Sequence, residues 1–384
     1  MRGSIKIFRL WGIPVFLHWS FGLIFLYAIW IGYDNGLNLS GTACLVGFFA
    51  AMFGCVLLHE YGHSLTARRY GVETQDIVLT PIGGIARLMR MPEKPAQEFW
   101  VAIAGPLVNV AIALLLGLGS YLFLSADNWS FFKWIFGEQF SWASSVDTEE
   151  VIEDLDINPN DVIFYLPLLV AANIWLVLFN LLPAFPMDGG RIFRALLAMK
   201  IGRVKATQIA AWLGQAVAVG FIFWGFYYGP ITMALIGFFV FTTARSENAM
   251  VRLEDFMKRY TAKDLIRSEY TKLSENDWMQ TPIELLKKGL ERHFLVFNMK
   301  DELVGVLEEW NIMEAIKKRD LSQEIKHYVE EVQMIHGDVS LQYVHHAIRQ
   351  KGRGIVVVSD HSGIIGVIDE AGLNNFMRLN GLNM

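Results

Sequence analysis

Most of the first 245 residues fall into apolar stretches that water would not tolerate as a surface, and this restricts the fold before any single residue is considered. A bilayer's hydrocarbon core is about 30 Å thick and takes about 20 apolar residues of helix to cross. Pro14 to Tyr33, Ala43 to about Thr66, Phe99 to about Ser125, Val162 to Leu182 and Thr207 to Tyr228 meet that length. A sixth stretch, Ile231 to Ala244, is short for a full crossing. Lipid leaves no backbone polar group unsatisfied, so helices are the natural solution for such stretches. The predicted fold class is an α-helical polytopic membrane protein of six transmembrane helices, followed by a smaller α/β domain. A 53% apolar share and positive mean hydropathy agree with it.

The links between spans carry the orientation. Arg2, Lys6 and Arg9, then Arg68, Arg69, Arg87 and Arg90, then Arg191, Arg194, Lys200 and Arg203, and finally Arg245 and Arg252 all fall on one side of a six-span chain. The positive-inside rule makes that side, with both termini, cytoplasmic. Gly71 to Pro95 is no span: Ile77, Leu79, Ile82, Ile85 and Leu88 alternate around Pro81 and Gly83-Gly84. That pattern predicts a short membrane-associated β-hairpin or a re-entrant loop. The link from Asp127 to Asp161 is acidic, with Lys133 as its only base, and its Trp129, Phe131 and Phe132 could lie along a membrane surface. A net charge of -5 excludes nucleic acid as the natural partner. Cys44 and Cys55 sit in apolar sequence without ligand spacing and read as buried thiols.

Near the end of the second span lies His59-Glu60-Tyr61-Gly62-His63. On a helix, positions i and i+4 share a face, so His59 and His63 can offer two imidazoles to one metal ion while Glu60 points elsewhere and can act on a water. A hydrolytic zinc site needs three protein ligands and an open position. The topology brings the ends of spans two and four to the same cytoplasmic side, where Asp188 lies in Pro186-Met187-Asp188-Gly189-Gly190. A carboxylate there is costly unless paired or bound, so Asp188 is either the third ligand or an ion-pair partner of Arg191 or Arg194. One Zn2+ per chain would polarise a scissile carbonyl, with Glu60 taking the proton and returning it to the leaving amine. Asn180 and Asn173 could hydrogen-bond the substrate backbone or the oxyanion, or equally the neighbouring helices. His18 reads as an interfacial histidine before a metal ligand. The Thr80 to Gly84 turn, with Gly83 and Gly84, offers an edge to which an unwound substrate strand could add.

These segments resemble the site-2 protease family of intramembrane zinc metalloproteases. The resemblance rests on His-Glu-Tyr-Gly-His and on Asn-Leu-Leu-Pro-Ala-Phe-Pro-Met-Asp-Gly-Gly-Arg. It extends to Gly12-Ile13-Pro14 through His18-Trp19-Ser20, to Pro-Ile-Gly-Gly and to Ala-Gly-Pro-Leu-Val-Asn, in order over roughly residues 8 to 200. It implies His59, His63 and Asp188 as zinc ligands, Glu60 as catalytic base, and membrane-anchored regulatory proteins as substrates, cut within or near the bilayer. No inserted PDZ domain is evident, as in the prokaryotic branch related to the sporulation-factor protease.

Past a linker at 246–260, residues 261–320 and 321–384 repeat one pattern: an opening segment, an amphipathic helix, a strand, a turn, a second strand and a closing helix. Thr281 to Arg292 and Ser340 to Lys351 are the repeated helices, and Leu303 to Leu307 matches Ile364 to Ile368. The pair resembles tandem CBS domains, which implies ATP or another adenine nucleotide in the cleft, with Asp320 and Asp369 as ribose contacts, and dimerisation through the pair. A purely structural or dimerising pair fits the same residues. Two rivals to the endopeptidase stand beside it: a CBS-regulated metal-binding transporter, and an inactive relative that sequesters membrane proteins. The intact Glu60 and the clustering of charge at one level favour the enzyme.

Overall fold

The structure is a computed structural model that describes residues 3–381 except 82, 90, 91, 93, 124–157, 159, 290 and 351–353. The acidic link from Asp127 onward lies almost wholly outside the described residues. The chain divides into two compact units, Met1–Asn248 and Ala249–Met384.

The first unit opens on β1 (Ser4–Leu10) and β2 (Ile13–His18), continues through α1 (Gly22–Asp34) and α2 (Leu39–Arg69), and returns to β3 (Thr74–Thr80) and β4 (Gly83–Leu88). The four strands form one sheet in the order β1-β2-β3-β4, with β2 and β3 parallel and the other pairs antiparallel. The hairpin expected from the alternating pattern is β3–β4, with Val78 opposite Ile85 and Thr80 opposite Gly83. It is half of a larger sheet. Ile13, Val15, Ile77 and Leu79 from its middle strands pack with Phe21, Phe53 and Tyr61 in one buried cluster.

Four further helices complete the unit: α3 (Pro95–Phe123), α4 (Val162–Asn180), α5 (Asp188–Ile201) and α6 (Arg203–Tyr227). Then α7 (Ile231–Arg259) begins in this unit and runs on into the next. Among the described residues, α2, α3, α4 and α6 are long and apolar enough to cross a membrane. The expected first span differs. Pro14 to His18 is extended, because Ile13-Pro14-Val15 pairs between β1 and β3, and α1 keeps only 13 residues. At 1.5 Å per residue that is about 20 Å, short of the hydrocarbon thickness. The expected sixth span is the first half of α7, and the expected linker at 246–260 is helical through Arg259.

The helices meet at small residues. A side chain at Gly62 of α2 would stand 2.8 Å from the Ala104 carbonyl and 2.9 Å from Val108 of α3. Such close approach is how helices pack where burial from water supplies no driving force. It presses the histidine-bearing face of α2 against α3.

In the second unit, β5 (Lys272–Ser274), α8 (Gln280–Lys287), β6 (His293–Phe297), β7 (Leu303–Glu308) and α9 (Glu309–Lys318) form one repeat. The other is β8 (Met334–His336), α10 (Leu341–Gln350), β9 (Ile355–Asp360), β10 (Gly363–Asp369) and α11 (Glu370–Leu379). Each has a three-stranded sheet with one parallel and one antiparallel pair. The segments that open the repeats are exchanged. Thr261 and Arg267 bridge to Ser340 and Val367 of the second repeat, while Glu324 and Glu330 bridge to Trp278 and Val306 of the first. Ala262 is buried in the second repeat's core and Ile325 in the first's. A boundary drawn at 320 follows the sequence period and not the packing.

Candidate metal centre

His59 and His63 lie one turn apart on α2, and Asp188 is the first residue of α5; all three are buried, at 6%, 5% and 7% exposure. Asp188 Oδ2 is 3.1 Å from His59 Nε2 and 3.0 Å from His63 Nε2, and the two Nε2 atoms are 3.0 Å apart. Four ligands at about 2.0 Å from a tetrahedral zinc ion would stand about 3.3 Å from one another. The triangle is slightly tighter than that, and His59, His63 and Asp188 are the one group of this kind among the described residues.

The outer nitrogens decide what the inner ones can do. His59 Nδ1 donates to Asn109 Oδ1 at 2.6 Å, and His63 Nδ1 donates to the Val101 carbonyl at 2.7 Å. Asn109 cannot present its amide nitrogen there, because that nitrogen donates to Asn173 Oδ1 at 2.8 Å. Asn173 is fixed in turn by donating to the Leu169 carbonyl at 2.8 Å. The chain of bonds thus begins at a helix carbonyl and ends by choosing a tautomer. With a proton on each Nδ1, both Nε2 atoms are lone-pair donors. Three electron-pair donors then face one another with no proton to share, an arrangement that a cation resolves. Gly105 supplies the room: a Cβ there would lie 2.7 Å from His59 Nε2 and in collision with the His63 ring. The residues present fit zinc.

Glu60 points away from the triangle, as its position between the histidines requires, and its Oε2 accepts the Ala86 N–H of β4 at 3.1 Å. Gly84 of the same strand leaves space for it, since a side chain there would stand 2.7 Å from Glu60 Cγ. The carboxylate therefore lies between the metal triangle and the outer edge of the sheet, where Gly83 and Gly84 begin β4.

Of the other residues singled out from sequence, Asn173 is fully buried and engaged with Asn109, Leu169 and Cys55. Asn180 is half-buried at the last turn of α4. His18 accepts from Ser20 N and bonds its hydroxyl, at the end of the inner strand β2. The ion-pair alternative for Asp188 divides. Arg191 Nη1 stands 3.8 Å from its Oδ1, whereas Arg194 is fully buried and bound to Glu98 and Glu247. Sequence reasoning passed over that last cluster. Its signal was there: an arginine on the inner face of a short amphipathic helix, and an acid just before a span.

In the second unit a cleft of about 970 Å³ is lined by both repeats, including Arg267, His293, Glu308, Glu309, Trp310 and Asp369. Burial pushes the His293 imidazole below its ordinary range, and nearby Asp369 pulls the other way. Asp369 caps α11 by accepting from Gly372 N at 2.6 Å. Asp320 is outside the lining and accepts from the Tyr328 hydroxyl at 2.6 Å.

The profile of peptidase family M50 matches residues 47–223. The chain is 31% identical to a zinc metalloprotease of Methanocaldococcus jannaschii, over 96% of its own length and 95% of the relative's. A solved site-2 protease structure from Methanocaldococcus jannaschii is 35% identical and covers 64% of this chain and 95% of that one, with a TM-score of 0.43. A crystal structure of a hemolysin-like protein containing a CBS domain, from Oenococcus oeni, covers 33% of this chain and 95% of that one at 14% identity, with a TM-score of 0.30.

Proposed function

The chain belongs to peptidase family M50, the zinc metalloproteases of site-2 type, and from that premise we propose that it is an intramembrane endopeptidase cutting membrane-anchored regulatory proteins. Zinc would be held by His59, His63 and Asp188, with Glu60 as general base. The observation that carries the reading is the convergence of three proton-free donors beside a carboxylate that is not one of them. When bound, zinc supplies a Lewis acid that polarises the scissile carbonyl and acidifies water towards a pKa of about 7. Glu60 takes the proton from the attacking water and passes it to the departing amine.

The substrate must reach this carboxylate unwound, because a helical peptide bond is shielded by its own turn. The outer edge of β4 suits an added strand. Glu60 already holds the Ala86 N–H on that edge, so a strand added there would lie against the base. Asn180, at the end of α4, is the remaining candidate for a substrate contact, since the Asn173 amide is committed to its neighbours.

Six crossings with both termini cytoplasmic remain the topology proposed. α2, α3, α4 and α6 would supply four, and α1 and the apolar half of α7, both shorter than the hydrocarbon core, would supply the others where the bilayer thins around them. The paired repeats are proposed to gate the enzyme by binding an adenine nucleotide in their cleft. The presence of Asp369 and the exposed Trp310 in its lining supports that reading.

Glu60→Gln tests the catalytic part. The variant should bind zinc at the wild-type ratio and accumulate uncut membrane proteins, with cleavage lowered by about 10²-fold to 10⁴-fold. Comparative membrane proteomics of cells carrying wild type and variant reads this out. A variant that cuts normally would remove Glu60 from its role.

A further inference from the structure

Arg194 is the largest fully buried side chain among the described residues, and two carboxylates are bound to it. Its Nε and Nη2 both donate to Glu98 Oε1 in the first turn of α3, and its Nη1 donates to Glu247 Oε1 on α7 at 2.7 Å. Its guanidinium also lies 5.0 Å from the centre of the Phe185 ring, three residues before Asp188. A buried arginine is tolerated only when its fork is filled, so each of these partners is needed. Three elements are thereby tied at one point: α3, which carries Asn109 and the Val101 carbonyl; α7; and α5, which carries Asp188.

We propose that Arg194 is a positioning residue for the metal centre: the Glu98–Arg194–Glu247 clamp sets the rotation of α5, and with it the distance of the Asp188 carboxylate from the two histidines. The inference rests on the metal reading of His59, His63 and Asp188. Arg194 follows Asp188 by six residues, about 9 Å along the helix axis and about 120° around it. One end of a short helix therefore faces the histidines while a second face is pinned. A carboxylate about 6 Å from the axis moves about 1 Å for a 10° turn of the helix. Metal–ligand distances tolerate only about 0.2 Å. Close backbone packing at Gly189 and Gly190 restrains the other end of α5. A side chain at Gly190 would stand 2.6 Å from the Ala184 carbonyl carbon, and α5 has no side-chain N-cap bond. The clamp adds a directional polar restraint further along the same helix. Glu247 also lies on a helix that continues unbroken to Arg259, so a shift of α7 along or about its axis reaches Asp188 through one salt bridge.

The test compares full-length protein carrying Glu247→Ala and Arg194→Lys with wild type and with Asp255→Ala, which breaks an exposed pair with Arg259 on the same helix. Zinc affinity by chelator competition, and kcat and KM separately on a cleavable substrate, are read per folded molecule. Both clamp variants should bind zinc about 10-fold to 100-fold more weakly and lose kcat with KM kept, as for lost outer-shell contacts. Asp255→Ala should match wild type in both readouts. If Arg194→Lys fails to fold, Glu247→Ala decides, because Glu247 is the partly exposed partner and the Arg194–Glu98 pair remains. Wild-type zinc affinity and kcat in folded Glu247→Ala would overturn the inference and leave the cluster a stabilising ion pair. Absence of zinc from the wild type would instead overturn the metal reading beneath it.

Discussion

At the metal centre, three buried donors stand within 3.1 Å of one another, and Arg191 is held 3.8 Å off to one side. In the cleft of the C-terminal unit, the pairs are as long but more exposed, and carboxylates outnumber cations. Arg267 stands 3.7 Å from Glu291 and 3.9 Å from Asp369, and Arg292 stands 3.6 Å from Glu309. The first site gathers three lone-pair donors in a buried space, and Arg191 stands off at the outer oxygen of Asp188, Oδ1. The second keeps an excess of carboxylates over cations and is partly exposed, where ion pairs contribute little and break readily. A ligand there competes with weak internal pairs, so its occupancy depends on concentration. That is the behaviour of a sensor, whereas the metal centre has the behaviour of a fixture.

Space at the metal centre gives the largest expected effect. Gly105→Ala puts a methyl group 2.7 Å from His59 Nε2 and against His63, which α2 and α3 cannot relieve without opening their interface. Zinc content, measured by mass spectrometry of the purified protein, should fall from one per chain to near none. A full zinc complement would show that the helices can part and that the site is less of a fixture than its burial suggests.

Bond direction comes next. Asn109→Ala removes the acceptor that keeps the proton of His59 on Nδ1 and leaves Asn173 without a donor to its Oδ1. Zinc affinity should fall about 10-fold to 100-fold. Asn109→Asp, which keeps an acceptor facing His59, should recover part of it. Equal losses in the two variants would mean that packing and not tautomer choice is what Asn109 provides.

The two regions also differ in how far sequence alone reached them. The convergence of His59, His63 and Asp188 was legible because a metal ion would demand such side chains at helical spacing and a carboxylate at their level. What escaped were features made by chain distant in sequence. β1 reads as a basic, amphipathic start because its Ile5, Ile7 and Phe8 are exposed on an edge strand. β2 hides within an apolar run that suits a helix equally well, and pairing with β1 on one side and with β3, about sixty residues on, on the other makes it a strand. The exchanged opening segments of the repeats were hidden for the same reason: periodicity shows the repeat but not which sheet each opening segment joins.

The smallest effect belongs to the cleft, and it sets the two regions against each other most directly. A ligand at 100 times its Kd stabilises the folded state by about 2.7 kcal/mol. For a unit of this size that is roughly 10 °C in melting temperature. Thermal titration with AMP, ADP and ATP should give shifts that decline in that order, because each added phosphate meets Glu291, Glu308, Glu309, Asp369 and Glu370. Asp369→Ala should lower the ligand-free melting temperature, since it removes the cap of α11 at a cost of about 1 kcal/mol, and should also abolish the nucleotide increment. Asp320→Ala should leave the increment intact, because Asp320 lies outside the lining and is engaged by Tyr328. A flat response to all three nucleotides would remove the sensor and leave the repeats a structural pair. Shifts that grew with phosphate number would mean that the carboxylates turn away on binding and that the arginines, freed from their partners, hold the ligand.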